Sequence, residues 1–285
     1  MASTMQNNSM VAFQGDHYAF SEIAAKNYFG EEIECLPCKT FERVFAAVEG
    51  GEAAFGIIPV ENSLTGSIHR NIDLLLEKDL HIVGETFLRI EQHLIAARGV
   101  QLKDIKTVYS HPQALEQCRN FLSKLDGIES VASYDTAGSA KMILDKNLRD
   151  AAAIASRRAA EDYGMDILCE EIEDIPENFT RFHIIAREAV KLGEPDKTSV
   201  VFSMKNIPGA LFKSLSVFAL RDIDLLKIES RPLRGRPWAY FFYLDFQGHP
   251  GEERCINAIR HLQEITSYLK VLGSYKSGQQ QKTLM

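Results

Sequence analysis

Ala54-Phe55-Gly56-Ile57-Ile58-Pro59-Val60-Glu61-Asn62-Ser63 is the stretch that decides the fold. Its apolar run, residues 54–60, is bounded too closely for a typical helix and reads as a buried strand. Three polar residues end it, and Ile68, Ile72, Leu75 and Leu76 then recur at helical spacing. Strand, polar junction and helix form the repeating unit of an α/β sheet, whose ligands bind beyond the carboxyl ends of its strands. Glu61, Asn62 and Ser63 at that junction either make an exposed turn that caps the next helix or find polar partners.

The same unit recurs outward from this stretch. Residues 10–13 read as a buried strand stopped by Gly15, after which Phe20, Ile23, Ala24 and Tyr28 share a helical face. The stretch 31–34 is strand-like, and Phe41, Val44, Phe45 and Val48 mark another helix. Residues 107–109 lead through Ser110-His111-Pro112 into one helix carrying Leu115, Cys118 and Leu122. Ser110 or His111 is a cap there, and Pro112 suits the first helical position. Gln117 follows Ser110 by two helical turns, so both can face one side. Residues 131–134 precede a helix beginning near Thr136, and residues 151–155 precede the helix 157–163. Thr136 opens a helix whose free N–H groups either are simply capped or receive a carboxylate.

Residues 191–196, with Gly193 and Pro195, read as a linker. Beyond it the order is βαββαβ: strand 198–204, helix 209–220, strand 223–230, strand 238–246, helix around Cys255 to Ile265, and strand 269–272. That is a ferredoxin-like unit. In it, Gly209 lets the backbone approach a ligand at a helix start, or merely opens the helix, and Pro232 ends a strand.

Composition narrows the function. The 285 residues are 45% hydrophobic and 25% charged, with a net charge of −7. That balance, without a run of Lys or Arg, argues against nucleic-acid binding. No apolar run approaches 18 residues, so no membrane span is expected. The first nine residues are polar and do not resemble a secretory signal; cytoplasmic residence is expected, or the plastid stroma if a transit peptide has been removed. The five cysteines are odd in number and scattered, which suits reduced thiols. Cys35-Leu36-Pro37-Cys38 has redox spacing, but incidental thiols are the expected reading. The histidines lack metal-ligand spacing, and there is neither a GxGxxG nor a Walker loop. Neither a metal nor a cofactor is expected.

Asn178-Phe179-Thr180-Arg181-Phe182 places a hydroxyl donor beside a fixed cation at the start of an apolar strand. Arg181 can clamp a carboxylate or pair with Glu177 or Asp174. Together with Pro59-Val60-Glu61-Asn62-Ser63, Ser110-His111-Pro112-Gln113 and Glu229-Ser230-Arg231-Pro232, this segment resembles the prephenate and arogenate dehydratases over about residues 11–275.

The resemblance implies a two-lobed catalytic domain like a type-2 periplasmic binding protein, residues 10–190. Its lobes are 10–86 with 176–190, and 87–175. A linker at 191–196 and an ACT regulatory domain at 197–275 follow. It implies catalytic roles for Thr180, Asn62, Ser110 and Gln117, and substrate contacts at Arg181, Glu61, Ser63, Phe182 and Thr136. The implied activity is the decarboxylating dehydration of prephenate, or of arogenate, toward phenylalanine. Thr180 either donates the proton or orients the leaving hydroxyl. Phenylalanine is the implied effector, bound by Asn206, Pro208, Gly209, Ala210 and Leu211 with Glu229, Ser230, Arg231 and Pro232 in a homodimer or homotetramer formed through ACT domains. A non-enzymatic amino-acid sensor is the rival from another class. One departure stands out: the family's Gly-x-x-Gly loop after the first strand is Gly15-Asp16-His17-Tyr18 here, without the second glycine.

Overall fold

The computed structural model describes residues 10–233 and 239–278. Its elements begin with β1 (Val11–Gln14), α1 (Phe20–Phe29), β2 (Cys35–Cys38), α2 (Phe41–Glu49), β3 (Phe55–Asn62), β4 (Gly66–Ser67), α3 (His69–Glu77) and β5 (His81–Arg89). There follow β6 (His93–Ala96), β7 (Thr107–Ser110), α4 (Pro112–Gln117), α5 (Arg119–Leu122), β8 (Glu129–Ala132), α6 (Thr136–Asp145), β9 (Ala151–Ala155), α7 (Arg157–Tyr163), β10 (Asp166–Cys169) and β11 (Phe179–Ala186). The last are β12 (Lys197–Ser203), α8 (Ala210–Ala219), β13 (Leu225–Pro232), β14 (Tyr240–Gln247), α9 (Glu253–Ile265) and β15 (Tyr268–Tyr275).

Two sheets carry the α/β part. The first runs β2-β1-β3-β11-β5, with β4 paired to β3. The second runs β10-β6-β9-β7-β8. β1 is parallel to β2 and β3, and β7 is parallel to β8 and β9, while β6 runs antiparallel to β9 and β10. The chain enters the second sheet after β5 and returns to the first in β11, so two α/β lobes are joined by two crossings. The parallel strands are covered on both faces, which is why 151–155 is five buried residues in a row. Helix starts are fixed locally: Thr40 accepts from Arg43 N, Asp135 from Gly138 N and Ser156 from Ala159 N.

The chain divides into two compact units. Among the described residues, one comprises residues 10–72 with Thr86–Phe182; the other comprises Asp73–Glu85 with residues 183–233 and 239–278. The second unit holds an antiparallel sheet in the order β13-β14-β12-β15. With first and third strands central, this is the ferredoxin-like arrangement read from the sequence. Val200, Phe202, Val217, Phe218, Leu244 and Phe246 fill its core. Beside the core lies a buried polar cluster. Lys197 Nζ contacts Glu85 Oε2 at 2.8 Å and Asp245 Oδ2 at 3.9 Å, and Ser199 Oγ donates to Asp245 Oδ1 at 2.5 Å.

Several local expectations need correction. The strand expected at 31–34 lies at Cys35–Cys38, so the Cys-x-x-Cys spacing sits along an edge strand, where Pro37 is tolerated. Burial pushes the Cys35 thiol up to about 12 and raises Cys38 as well, the opposite of an activated thiol. The buried face of α1 is Ser21, Glu22, Ala24 and Ala25, not the aromatic face; Glu22 is held inside by Lys26 and by His17. In α3, Leu74 is buried where Leu76 was expected. The helix expected through Leu122 breaks at Cys118, which leaves helical geometry at φ −112° and ψ 20°. β5 and β6 were not anticipated at all. The start of β14 expected at Trp238 lies outside the described residues. Among the described residues no helix is long and apolar enough to cross a membrane.

Candidate active site

A cavity of about 540 Å³ opens at the carboxyl ends of β1, β3 and β7 and is lined by both lobes of the first unit. Its walls include Pro59, Ile68, Ile90 and Phe182, so they are largely apolar. Polar side chains enter between these apolar surfaces, a combination usual for a small-molecule site.

Asn62 ends β3 and is 3% exposed. Its Oδ1 accepts from the N–H groups of Leu64 and Thr65, both at 3.1 Å, closing the turn after the strand. Those backbone donors fix the orientation of the amide. Nδ2 therefore faces the other way, donating to Asn178 Oδ1 at 2.7 Å and to Thr180 Oγ1 at 3.1 Å. Asn178, fully buried, passes its own Nδ2 to Gln117 Oε1 at 3.1 Å. Four side chains thus form one chain in which donation runs outward from Asn62, to Thr180 on one side and through Asn178 to Gln117 on the other. Because Thr180 Oγ1 receives a proton from Asn62, its own hydroxyl proton is available to a cavity ligand. Gln117, with Oε1 engaged, has its two Nε2 hydrogens left to offer.

Strand alternation sorts the neighbours. Thr180 and Phe182 line the cavity, and so do Asn62, Gln117 and Thr136. Arg181 lies between Thr180 and Phe182 on β11 and does not line it; its NH1 is 3.6 Å from Glu61 Oε2, and Glu61 likewise precedes Asn62 on the off-cavity side. Arg181 thus meets Glu61, and Asp174 accepts from Asn120 N. Ser63 is also outside the cavity. Its Oγ donates to Glu177 O and accepts from Phe179 N, each at 2.9 Å, so it holds the entry to β11. Ser110, fully buried at the end of β7, donates to Ile154 O at 2.7 Å.

Gln117 is held twice by one short segment. Asp174 N donates to its carbonyl at 2.7 Å, and Asn178 reaches its side chain.

Residues that sequence reasoning gave no role also line the cavity, Gln14, Lys39, Gln92 and Tyr134, as does Asp135 of the Asp135-Thr136 junction. Gln14 directly ends β1 and could have been found by the junction rule that found Ser110. Gln14 Nε2 donates to Tyr134 Oη at 3.3 Å, and that hydroxyl donates to Lys39 O at 2.6 Å. Burial raises the Asp135 carboxyl, although Gly138 N donates to it at 2.8 Å. Partial burial lowers His111, whose Nδ1 accepts from Gln113 N at 3.2 Å.

The Gly15 loop packs against this floor. Gly15 has φ +122°, and a Cβ there would lie 2.5 Å from Asp135 Oδ2. Tyr18, standing where the second glycine was expected, has φ 70°. Glu22 accepts from its N–H, Ser156 Oγ donates to its carbonyl at 3.1 Å, and its ring packs edge-on against Tyr163 at 4.9 Å. These contacts hold a side-chain-bearing residue in a region glycine prefers.

A second cavity, about 490 Å³, lies in the other unit and is lined by Asn206, Gly209, Ala210 and Leu211 with Tyr240 and Phe242. Gly209 is left-handed at φ 76° and opens α8. Pro208 and the β13 residues Glu229, Ser230, Arg231 and Pro232 do not line it; Arg231 pairs with Asp73 at 3.2 Å and Glu229 with Lys227 at 3.4 Å. Among the described residues no group of three His, Cys, Asp or Glu is placed to hold a metal.

Comparison with known proteins gives a consistent result. The prephenate dehydratase family model matches residues 11–190. The chain is 48% identical to arogenate dehydratase/prephenate dehydratase 2, chloroplastic, of Arabidopsis thaliana, covering 96% of this chain and 75% of that one. Among solved structures, prephenate dehydratase from Arthrobacter aurescens in complex with L-Phe superposes with a TM-score of 0.85 at 33% identity, over 94% of this chain and 89% of that one. A structure of GqqA, described as a novel type of quorum quenching acylase, superposes with a TM-score of 0.84 at 35% identity, over 94% and 98%.

Proposed function

The chain belongs to the prephenate dehydratase family, and on that premise we propose that the cavity beside Thr180 is its active site. The enzyme is a carbon–oxygen lyase of phenylalanine biosynthesis. It converts prephenate to phenylpyruvate, and the same chemistry converts arogenate to phenylalanine. The bond to the ring carboxylate breaks and its electron pair enters the ring. The ring hydroxyl departs with a proton as water, and carbon dioxide leaves. Aromatisation drives the step, so the protein's task is to hydrogen-bond the leaving oxygen and hold the carboxylates.

The observation that carries the assignment is the donation from Asn62 Nδ2 to Thr180 Oγ1 at 3.1 Å. It turns the threonine proton outward, toward the departing hydroxyl. Such a donor is typically worth about 10²–10⁴-fold in rate. Gln117 Nε2 and Lys39 supply donors for carboxylate, and Phe182 and Ile90 present an apolar wall to the ring. Ser110, Glu61, Ser63 and Arg181 act in this scheme by holding the strand ends in place.

A nucleophilic acylase reading has less support. Ser110 is committed to a backbone carbonyl and Thr180 is hydrogen-bonded by an amide, so neither has a histidine or carboxylate partner to activate it. A sensor without catalysis would not need the Gln117-to-Thr180 chain.

The finer readings extend the same proposal. Residues 10–190 form the catalytic domain, 191–196 the linker and 197–275 an ACT domain. Phenylalanine binds near Asn206, Pro208, Gly209, Ala210 and Leu211, with Glu229, Ser230, Arg231 and Pro232 supplied across a homodimer or homotetramer interface. The L-Phe complex of the Arthrobacter relative supports a phenylalanine effector. The chloroplastic relatives support residence in the plastid stroma rather than the cytoplasm.

Purified protein incubated with prephenate or arogenate tests the function. Phenylpyruvate or phenylalanine should form with one equivalent of carbon dioxide and no added cofactor. No turnover of either compound would refute the assignment.

A further inference from the structure

Gln92 is the buried amide of the cavity that this scheme leaves unused. It is 2% exposed and lines the cavity, yet its Oε1 has no hydrogen-bond partner. Its main chain is fixed at both groups: the N–H donates to Glu173 Oε2 at 2.9 Å, and the carbonyl accepts from Ile172 N at 2.8 Å. Buried oxygens in native proteins are almost always satisfied, so an orphan at a ligand cavity points to a donor on the ligand.

The two carboxylates that line the cavity are already engaged, Glu42 by Arg70 and Asp135 by the N–H groups of Asp16 and Gly138, and other groups offer donors. Thr180 has its hydroxyl proton, Gln117 its Nε2 hydrogens, and His111, with Nδ1 accepting, its Nε2–H. These suit carboxylates and a leaving hydroxyl, which accept. Prephenate brings a single donor of its own, the ring hydroxyl, and that group belongs beside Thr180. Arogenate carries an amino group in place of the side-chain keto group, and at neutral pH it is an ammonium.

We infer that Gln92 Oε1 accepts a hydrogen bond from the side-chain ammonium of arogenate and so biases the enzyme toward arogenate over prephenate. The inference rests on the dehydratase reading of the same cavity. A keto oxygen in that place would face another acceptor unless the amide turned over to present Nε2. Glutamate at position 92 removes that escape, because an ionised carboxylate only accepts.

The test is the ratio of kcat/KM for arogenate to kcat/KM for prephenate in wild type, Gln92→Met and Gln92→Glu. Loss of a hydrogen bond to a charged group should lower the ratio about ten- to hundredfold in Gln92→Met, mainly through the KM for arogenate. In Gln92→Glu the ratio should hold or rise. Equal losses on both substrates, or an unchanged ratio in Gln92→Met, would overturn the inference. If Gln92→Met does not fold, a ratio below wild type in Gln92→Glu overturns it alone. Wild-type protein inert toward both substrates would instead remove the dehydratase reading beneath it.

Discussion

Asn62 Nδ2 donates to Thr180 Oγ1 at 3.1 Å, and the turn that closes on Asn62 Oδ1 leaves the amide no other orientation. The direction of the threonine proton is therefore set by two backbone N–H groups of a neighbouring loop.

Reversing that direction should be worse than deleting it. Asn62→Asp places an acceptor against Thr180, which would then donate inward. We expect kcat to fall about 10²–10⁴-fold, with Thr180→Ala falling as far and Thr180→Ser retaining more activity than either. Stopped assays on purified variants, with circular dichroism to check folding, measure this. Activity near wild type in Thr180→Ala would refute the role of Thr180.

The polar cluster of the second unit should matter for stability. Lys197→Met leaves Glu85, whose side chain is 1% exposed, without its 2.8 Å ammonium partner. Breaking a buried pair from one side costs about 3–5 kcal/mol, read as a lower urea midpoint. The double variant Lys197→Met with Glu85→Gln should recover part of that loss.

Acid should weaken the fold through His93. The ring is 1% exposed, its Nδ1 accepts from Glu171 N at 3.2 Å, and burial holds its pKa below 6.5. A histidine kept neutral in the fold binds its proton more readily once unfolded. Its contribution is therefore present above about pH 6.5 and is lost as pH falls through the lower folded-state value. Urea midpoints measured from pH 7 to 5 should fall less steeply in His93→Gln than in wild type; equal slopes would exclude His93.

Phenylalanine should inhibit, and Gly209→Ala should reduce its effect. Gly209 holds φ 76° beside the second cavity, where a Cβ is strained. Coupling of this kind is typically about 1–3 kcal/mol. Dose–response curves for Gly209→Ala and Ser230→Ala that match wild type would count against the effector site.

Thr180, Asn62 and Gln117 were legible because each sits at a strand end or helix face in a recognisable motif. Arg181 and Glu61 were attractive for their charge, yet strand alternation turns both from the cavity, a geometric rule that outranks side-chain chemistry. Gln92 was invisible because it lies between β5 and β6, in a stretch without clear periodicity. The break at Cys118 escaped notice too, since residues 113–122 contain neither Gly nor Pro to interrupt a helix. Glu22 was the converse case: a charged residue on the inner face of α1, where hydrophobic patterning looks for apolar ones, made tolerable by His17, the Tyr18 N–H and Lys26 close by in the chain.

Asp174 and Asn178 bracket an exposed turn containing Ile175 and Pro176, a segment that would ordinarily tolerate insertions and deletions. Here its length is a measured gap. One end is tied to the main chain of Gln117 and the other to the tip of the same residue. Adding or removing one residue would set the two ties out of step, so this surface loop behaves as a ruler for the cavity, intolerant of length change however freely its outward side chains vary.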